Sequence, residues 1–144
     1  MTEIHQQEIY NMEEINSRKL ASVIARVLDD NKGKDIVILN VSNVSVLSDY
    51  FVIATATSTP QVKGLTGSVR EKIKEAFQRL PKGNENDSKN TWNLLDYGDV
   101  IVHIMHFEQR ETYQIEKFWN HALKVDREVW EEESKEFAQY EEIN

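Results

Sequence analysis

Residues 92–106 of this chain read WNLLDYGDVIVHIMH, two apolar runs of strand length joined at a glycine. The first run ends just before Gly98, which supplies the turn, and the second begins just after it. A connection this short, centred on glycine, favours an antiparallel hairpin. The stretch therefore predicts two paired strands, 92–97 and 99–106.

Two further strands and two helices are predicted before this hairpin. Residues 35–41 and 50–56 are β-branched apolar runs without clean polar alternation, which indicates strands covered on both faces. Apolar residues recur at spacings of three and four in 17–28 and 59–80, the pattern of amphipathic helices. Residues 82–91 are polar and are predicted to form a flexible connection.

More helices are predicted after the hairpin, over residues 108–123 and, as an acidic amphipathic segment, over residues 125–140. The predicted order is α-β-β-α-β-β-α with a helical tail. This order is typical of an α/β fold in which helices flank a mixed β-sheet.

The charge of the chain is concentrated at its ends. In total, 17 Lys and Arg residues against 25 Asp and Glu residues give a net charge of −8. Residues 1–16 carry four acids and no base, residues 126–144 carry eight acids and two bases, and residues 17–125 are left with a charge of +2. We predict an acidic flexible N-terminal tail (1–16), one folded domain (17–125) and an acidic helical C-terminal tail (126–144) whose removal leaves the core intact.

The composition also limits the class of protein. The absence of cysteine excludes disulfides, thiolate metal sites and cysteine nucleophiles. The first 16 residues lack both Lys and Arg and any apolar run, so no signal or transit peptide is expected. No apolar stretch approaches the roughly 20 residues that cross a bilayer. We expect a cytoplasmic protein, or one of the plastid stroma if the source is a plant.

The acidic residues do not form a recognisable catalytic pattern. A two-metal site needs carboxylates that converge on cations about 3.5–4 Å apart, whereas Gly98 interrupts the spacing of Asp96 and Asp99. Neither a phosphate-binding glycine motif nor a nucleophile elbow occurs. No catalytic residue, metal site or cofactor is expected. A nucleotide-binding or nucleotidyltransferase-type enzyme that uses Asp49, Asp96 and Asp99 is kept as an alternative.

Aromatic and acidic residues gather around the hairpin, a composition typical of protein-binding hot spots. The same rings could instead fill the core, and for Trp92 and Tyr97 both interpretations stay open. Phe118 and Trp119, on a helical stripe, fit a core position or a dimer contact better. His103 is interpreted as a core or interface histidine rather than a metal ligand.

Basic residues are frequent in the predicted helix 59–80, but Glu71 and Glu75 are interleaved with them. Mixed charges of this kind are common on a solvated helix face. An RNA-binding adaptor that uses this helix is the second alternative.

Three blocks of sequence carry a family resemblance. Two of them are SDYFVIAT at residues 48–55 and WNLLDYGDVIVH at residues 92–103. The third block consists of Glu108, Gln109, Arg110, Tyr113, Glu116 and Trp119. In this order and spacing they resemble the ribosomal silencing factor family, RsfS, also called the Iojap or YbeB family, over about residues 17–125.

The resemblance implies a mixed sheet with flanking helices, similar to nucleotidyltransferases without their catalytic residues. It implies a non-enzymatic repressor that binds the large ribosomal subunit through its ribosomal protein fourteen (uL-fourteen). The bound factor would sterically block joining of the small subunit when nutrients are short. Members of the family tend to form homodimers, and little direct RNA contact is expected.

The hairpin and the start of the next helix are the predicted docking patch for that ribosomal protein. Their apolar side chains would supply contact area, and their acidic side chains would complement a basic partner. The residues predicted to bind the partner are Trp92, Leu94, Asp96, Tyr97, Asp99, His103, Glu108 and Tyr113.

Overall fold

The structure is a computed structural model that describes the backbone of residues 2–86 and 89–138, with side chains for residues 16–83 and 89–138. Within these residues helices and strands follow one another along the chain. They are α1 (Thr2–Asp30), β1 (Lys34–Asn40), β2 (Tyr50–Ala56), α2 (Thr59–Phe77), β3 (Gly83–Asn86), β4 (Trp92–Asp96), β5 (Val100–His106), α3 (Phe107–Tyr113), α4 (Ile115–Phe118), β6 (Leu123–Val125), α5 (Arg127–Glu133) and a 3-10 turn (Lys135–Phe137).

The described strands form one mixed sheet in the order β3-β4-β5-β2-β1-β6. β2 and β5 run parallel, and the other neighbouring pairs are antiparallel. The predicted hairpin is confirmed, because β4 and β5 are antiparallel neighbours with Leu94 opposite His103. The predicted α/β fold, a mixed sheet flanked by helices, is confirmed as well.

Apolar cores lie on both faces of this sheet. α1 and α2 cover one face with a large core that includes Ile24 and Val69. α3 and α4 cover part of the other face over a smaller core that includes Ile53, Met105 and Ile115. β2 is buried along its whole length between the two cores, which explains why its sequence does not alternate with polar residues.

Two segments predicted to be flexible contain regular structure. α1 begins at Thr2, within the segment 1–16 that was expected to be a tail. Residues 2–16 contain neither proline nor glycine, so the sequence has no helix-breaking residue there. The polar connection 82–91 contains β3, which pairs with β4. An edge strand is held by backbone hydrogen bonds, so it needs no apolar side chains.

The predicted helix 108–123 is interrupted at Gln114, whose φ of 35° lies in the left-handed region. A left-handed residue ends the α-helical hydrogen-bond pattern. α3 therefore stops at Tyr113, α4 is a single turn, and the chain then joins the sheet as β6 beside β1. Tyr113 and Phe118 consequently lie at the ends of two short helices instead of along one continuous stripe.

The C-terminal segment contributes to the main core. The predicted helix 125–140 consists of α5 and the 3-10 turn, while residues 139 and 140 lie outside the described residues. Trp130 of α5 is only 1% exposed and belongs to the core beneath α1. The expectation that residues 126–144 can be removed without loss of the fold does not agree with this packing, because their removal would leave the Trp130 site empty.

Candidate protein-binding site

An aromatic cleft lies on the sheet face that α3 and α4 cover only in part. Its volume is about 310 Å³. Strand residues form its floor, and residues of the two short helices form its walls. The lining residues are Phe51, Trp92, His103, Tyr113, Ile115, Phe118 and Trp119.

The rings around this cleft are in contact with one another and partly open to solvent. Trp92 packs against Tyr113 with ring centroids 5.1 Å apart, and Trp119 meets Phe51 edge to face at the same distance. Tyr113 is 56% exposed and Phe118 is 80% exposed. A cluster of aromatic side chains that is partly exposed to solvent is typical of an interaction site and not of a closed hydrophobic core.

A buried histidine lies at the floor of the cleft. His103 is 7% exposed, and its Nδ1 accepts a hydrogen bond of 3.2 Å from the indole N–H of Trp92. Nδ1 is therefore unprotonated, and in the neutral ring the proton is on Nε2. Nε2 has no hydrogen-bond partner among the described residues. The cleft thus contains one buried N–H donor within an otherwise aromatic surface.

Burial, together with the positive charge of Arg110, lowers the pKa of His103 from 6.5 to about 4. Between these pH values the unfolded chain binds a proton that the folded chain does not bind. The free energy of unfolding should therefore fall as the pH falls, by about 2 kcal/mol between pH 8 and pH 5.

Replacement of His103 by leucine should remove this part of the pH dependence. Urea unfolding at pH 8 and pH 5 measures it in both proteins, and the exposed His121 replaced by glutamine is the matched control. Parallel pH dependence in the wild type and His103→Leu would contradict the burial of a neutral imidazole.

Arg110 holds the walls of the cleft in place. Its guanidinium donates to the Thr55 hydroxyl on β2 at 2.9 Å and forms two hydrogen bonds with the Glu116 carboxylate at 3.0 and 3.1 Å. A bidentate pair of this type is geometrically specific. One side chain therefore ties α3 to both the sheet and α4. Arg110 and Glu116 both belong to the sequence block that carries the resemblance.

The structure brings four of the predicted binding residues together at the cleft. Trp92, His103 and Tyr113 line it, and Leu94 is half-buried on the same face, directly across from His103. Glu108 is exposed in the first turn of α3.

Asp96 is only partly exposed, and its carboxylate has a local structural role. It accepts a 2.7 Å hydrogen bond from the backbone N–H of Gly98 and so stabilises the hairpin turn.

Tyr97 and Asp99 do not belong to this group. Tyr97 is buried in the core under α1 and α2, and burial raises the pKa of its hydroxyl to about 12. Asp99 accepts a hydrogen bond from the Ser17 hydroxyl at 2.8 Å and pairs with Arg79 at 2.8 Å. Burial disfavours its carboxylate, but the hydrogen bonds from Arg79 and Ser17 outweigh burial and lower its pKa. The hydrogen bonds of Asp99 therefore connect α1 and the chain beyond α2 to the hairpin turn.

Phe118 and Phe51 are cleft residues that sequence reasoning did not assign to the site. Phe118 was expected at a core position or a dimer contact on a helical stripe. The core alternative is wrong, because the helix breaks at Gln114 and the Phe118 ring is mostly exposed. Phe51 lies inside a continuous apolar run, where nothing in the sequence distinguishes the two faces of the strand.

The described part of the chain contains neither a cluster of metal-ligating side chains nor a membrane-spanning helix. No group of three or more His, Asp or Glu side chains there is placed to hold a metal ion. None of the described helices has the length and apolarity that a membrane span requires.

An α/β domain with an open aromatic cleft on one sheet face is the class that this fold and site define. The family model described as "Ribosomal silencing factor during starvation" matches residues 14–143. The chain therefore belongs to the ribosomal silencing factor (RsfS) family, and the resemblance seen in the sequence is confirmed. The match extends past residue 125 and includes the segment that contributes Trp130 to the core.

Individual relatives agree with this assignment. The chain is 30% identical over 112 residues to a Bacillus subtilis protein named ribosomal silencing factor RsfS, covering 78% of this chain and 94% of that one. A crystal structure of a protein from Chromobacterium violaceum is 39% identical and superposes with a TM-score of 0.67, covering 70% of this chain and 83% of that one. The mouse protein named mitochondrial assembly of ribosomal large subunit protein 1 is 28% identical over 99 residues, 67% of this chain and 43% of that protein.

Proposed function

We propose that the chain is a non-enzymatic repressor of translation that binds the large ribosomal subunit through its ribosomal protein fourteen (uL-fourteen). In the bound state it occupies the face that the small subunit must approach, and it thereby blocks subunit joining under nutrient limitation. The observation that carries the proposal is the open aromatic cleft. The name of the mouse relative, which refers to the large ribosomal subunit, is consistent with this partner.

The cleft has the physical features of an affinity hot spot. Its rings pack against one another, and Arg110 ties together the elements that carry them. Less conformational entropy is therefore lost when a partner covers them. Phe118 and Tyr113 are already exposed in the free protein, so their burial is a favourable change that only the complex provides. Central aromatic anchors of this kind dominate the binding energy of many protein interfaces.

Charges next to the cleft suit a basic partner. Glu108 and Glu111 are exposed on α3, the helix that carries Tyr113, and Asp96 lies farther away, at the opposite end of β4 from Trp92. Acidic groups at the border of an interface accelerate association with a positively charged protein. They also disfavour binding of negatively charged proteins. Asp99 is removed from the proposed set because it is already paired with Arg79.

Tyr97 is removed from the set as well, because the core buries it. The revised site is therefore the cleft, with Leu94 and the acidic border beside it. Inhibition by this site requires only affinity and bulk, and no chemical step.

A pull-down with separated ribosomal subunits tests the proposal. The tagged chain should retain large subunits and leave small subunits in the flow-through, and purified ribosomal protein fourteen should compete for the large-subunit binding. Equal retention of both subunits, or no competition, would contradict the assigned partner.

A further inference from the structure

A row of basic side chains runs along one side of α2. Lys63, Arg70 and Lys74 follow one another at steps of seven and four residues, which places them on the same side of an α-helix. All three are exposed. With a rise of about 1.5 Å per residue, the row is roughly 17 Å long. We call this surface the basic flank.

The charges of the basic flank are not neutralised within the described protein. None of its three side chains forms an ion pair or hydrogen bond with a described residue. The acids of α2, Glu71 and Glu75, lie roughly a quarter to a third of a turn around the helix from this row, where they line a hollow next to α1.

Several other cations of this acidic protein are paired. Arg18 and Lys19 of α1 form ion pairs with acidic residues of the C-terminal segment, and Arg127 of α5 pairs with Asp29 at 2.8 Å. The three cations of the basic flank differ from these paired residues because they together form a positive surface. They do so although the chain as a whole has a net charge of −8.

The middle of the row leaves room for a close approach. Gly67 lies between Lys63 and Arg70, and a side chain added there would meet no atom within 4 Å. The helix backbone is thus open to a bulky anionic chain at the point where the basic side chains surround it.

The basic flank adjoins the strand that carries the aromatic cleft. Asn93 of β4 donates a 3.0 Å hydrogen bond to the Thr66 hydroxyl, which places this side of α2 next to β4. Trp92, the neighbouring residue of β4, lines the cleft on the other face of the sheet. The cleft and the basic flank thus lie on opposite faces of the sheet near its β3 edge, and a partner as large as a ribosomal subunit would have to extend around that edge to contact both.

We propose that the basic flank binds the phosphate backbone of RNA in the large ribosomal subunit, as a second contact beside the protein contact at the cleft. This inference takes the large subunit as partner from the proposed function. A row of exposed cations that form no ion pair with a described residue matches a polyanion, and contacts of this kind carry no base specificity. This proposed contact departs from the expectation of little direct RNA contact that accompanied the family resemblance.

The test is the salt dependence of large-subunit binding. The variant Lys63→Gln/Arg70→Gln/Lys74→Gln removes three charges from the basic flank, and glutamine preserves helix propensity. The control Lys32→Gln/Lys34→Gln/Lys124→Gln removes three charges from exposed lysines elsewhere. Each lost phosphate contact lowers the slope of log affinity against log salt by about 0.7–0.9. Between 50 and 200 mM salt the wild type should therefore lose roughly 20- to 40-fold more affinity than the flank variant.

The control variant should keep the wild-type slope, and the flank variant should bind isolated ribosomal protein fourteen with unchanged affinity. Equal slopes in the wild type and the flank variant would overturn the RNA contact. A slope difference on large subunits, without any binding to the isolated ribosomal protein, would overturn the docking at the cleft and retain the RNA contact. Absence of large-subunit binding would overturn both.

Discussion

Replacement of Trp130 by alanine is expected to destabilise the fold by about 3–5 kcal/mol, the usual cost of removing a buried aromatic side chain. Trp130 is almost fully buried in the core that it shares with α1, and the guanidinium of Arg127 lies 4.7 Å from the centre of its ring. The truncation would leave a cavity that the surrounding rigid elements cannot close. Guanidinium or urea unfolding measures the change in the free energy of unfolding.

Val129 provides the matched control for this variant. It precedes Trp130 on α5 but is 37% exposed, so Val129→Ala should change the free energy of unfolding by well under half as much. Equal free energies of unfolding for Trp130→Ala and Val129→Ala would contradict a structural role of Trp130. The C-terminal segment would then be a tail that does not stabilise the core. Ion pairs that join Arg18 and Lys19 to this segment are more exposed, and we expect each to contribute only about 0–1 kcal/mol.

Replacement of Trp92 by alanine is expected to weaken binding to ribosomal protein fourteen by roughly thirtyfold or more, equivalent to about 2 kcal/mol. Trp92 packs against Tyr113, and its indole N–H also fixes the orientation and tautomer of His103. Its loss would remove contact area and disorder the floor of the cleft at the same time. Isothermal titration with the purified ribosomal protein measures the affinity.

Phe118→Ala is the cleaner second variant, because a side chain that is mostly exposed in the free protein adds little to its stability. It should also weaken binding, without a change in the free energy of unfolding. Leu80→Ala removes another exposed apolar side chain, beyond α2 and outside the cleft, and serves as control. Unchanged affinity in both Trp92→Ala and Phe118→Ala, with native folds, would contradict the docking site.

The strands that sequence alone predicted well are those whose apolar runs have clear ends. β2 spans the predicted residues 50–56, and the hairpin differs from its prediction by one residue at each side of the turn. β3 was missed because polar edge strands have no apolar pattern to recognise. The break at Gln114 was missed because a left-handed glutamine leaves no trace in helical periodicity.

The candidate site was only partly predictable for a related reason. Alternation along β4 places Trp92 and Leu94 on one face of the sheet and Tyr97 on the other. The sequence could therefore have predicted that Tyr97 lies apart from the cleft. The burial of Trp130 could not, because the surface it packs on comes from α1, about a hundred residues earlier. Self-association of the chain as a homodimer stays a prediction.

Subunit joining tests the central claim most directly. Purified large subunits are incubated with the chain, small subunits are added, and light scattering records the formation of joined ribosomes. We predict that the wild-type chain suppresses joining in proportion to its occupancy of the large subunit, and that Trp92→Ala requires a correspondingly higher concentration. Normal joining with large subunits that are saturated by the chain would contradict the proposal that it acts by steric block.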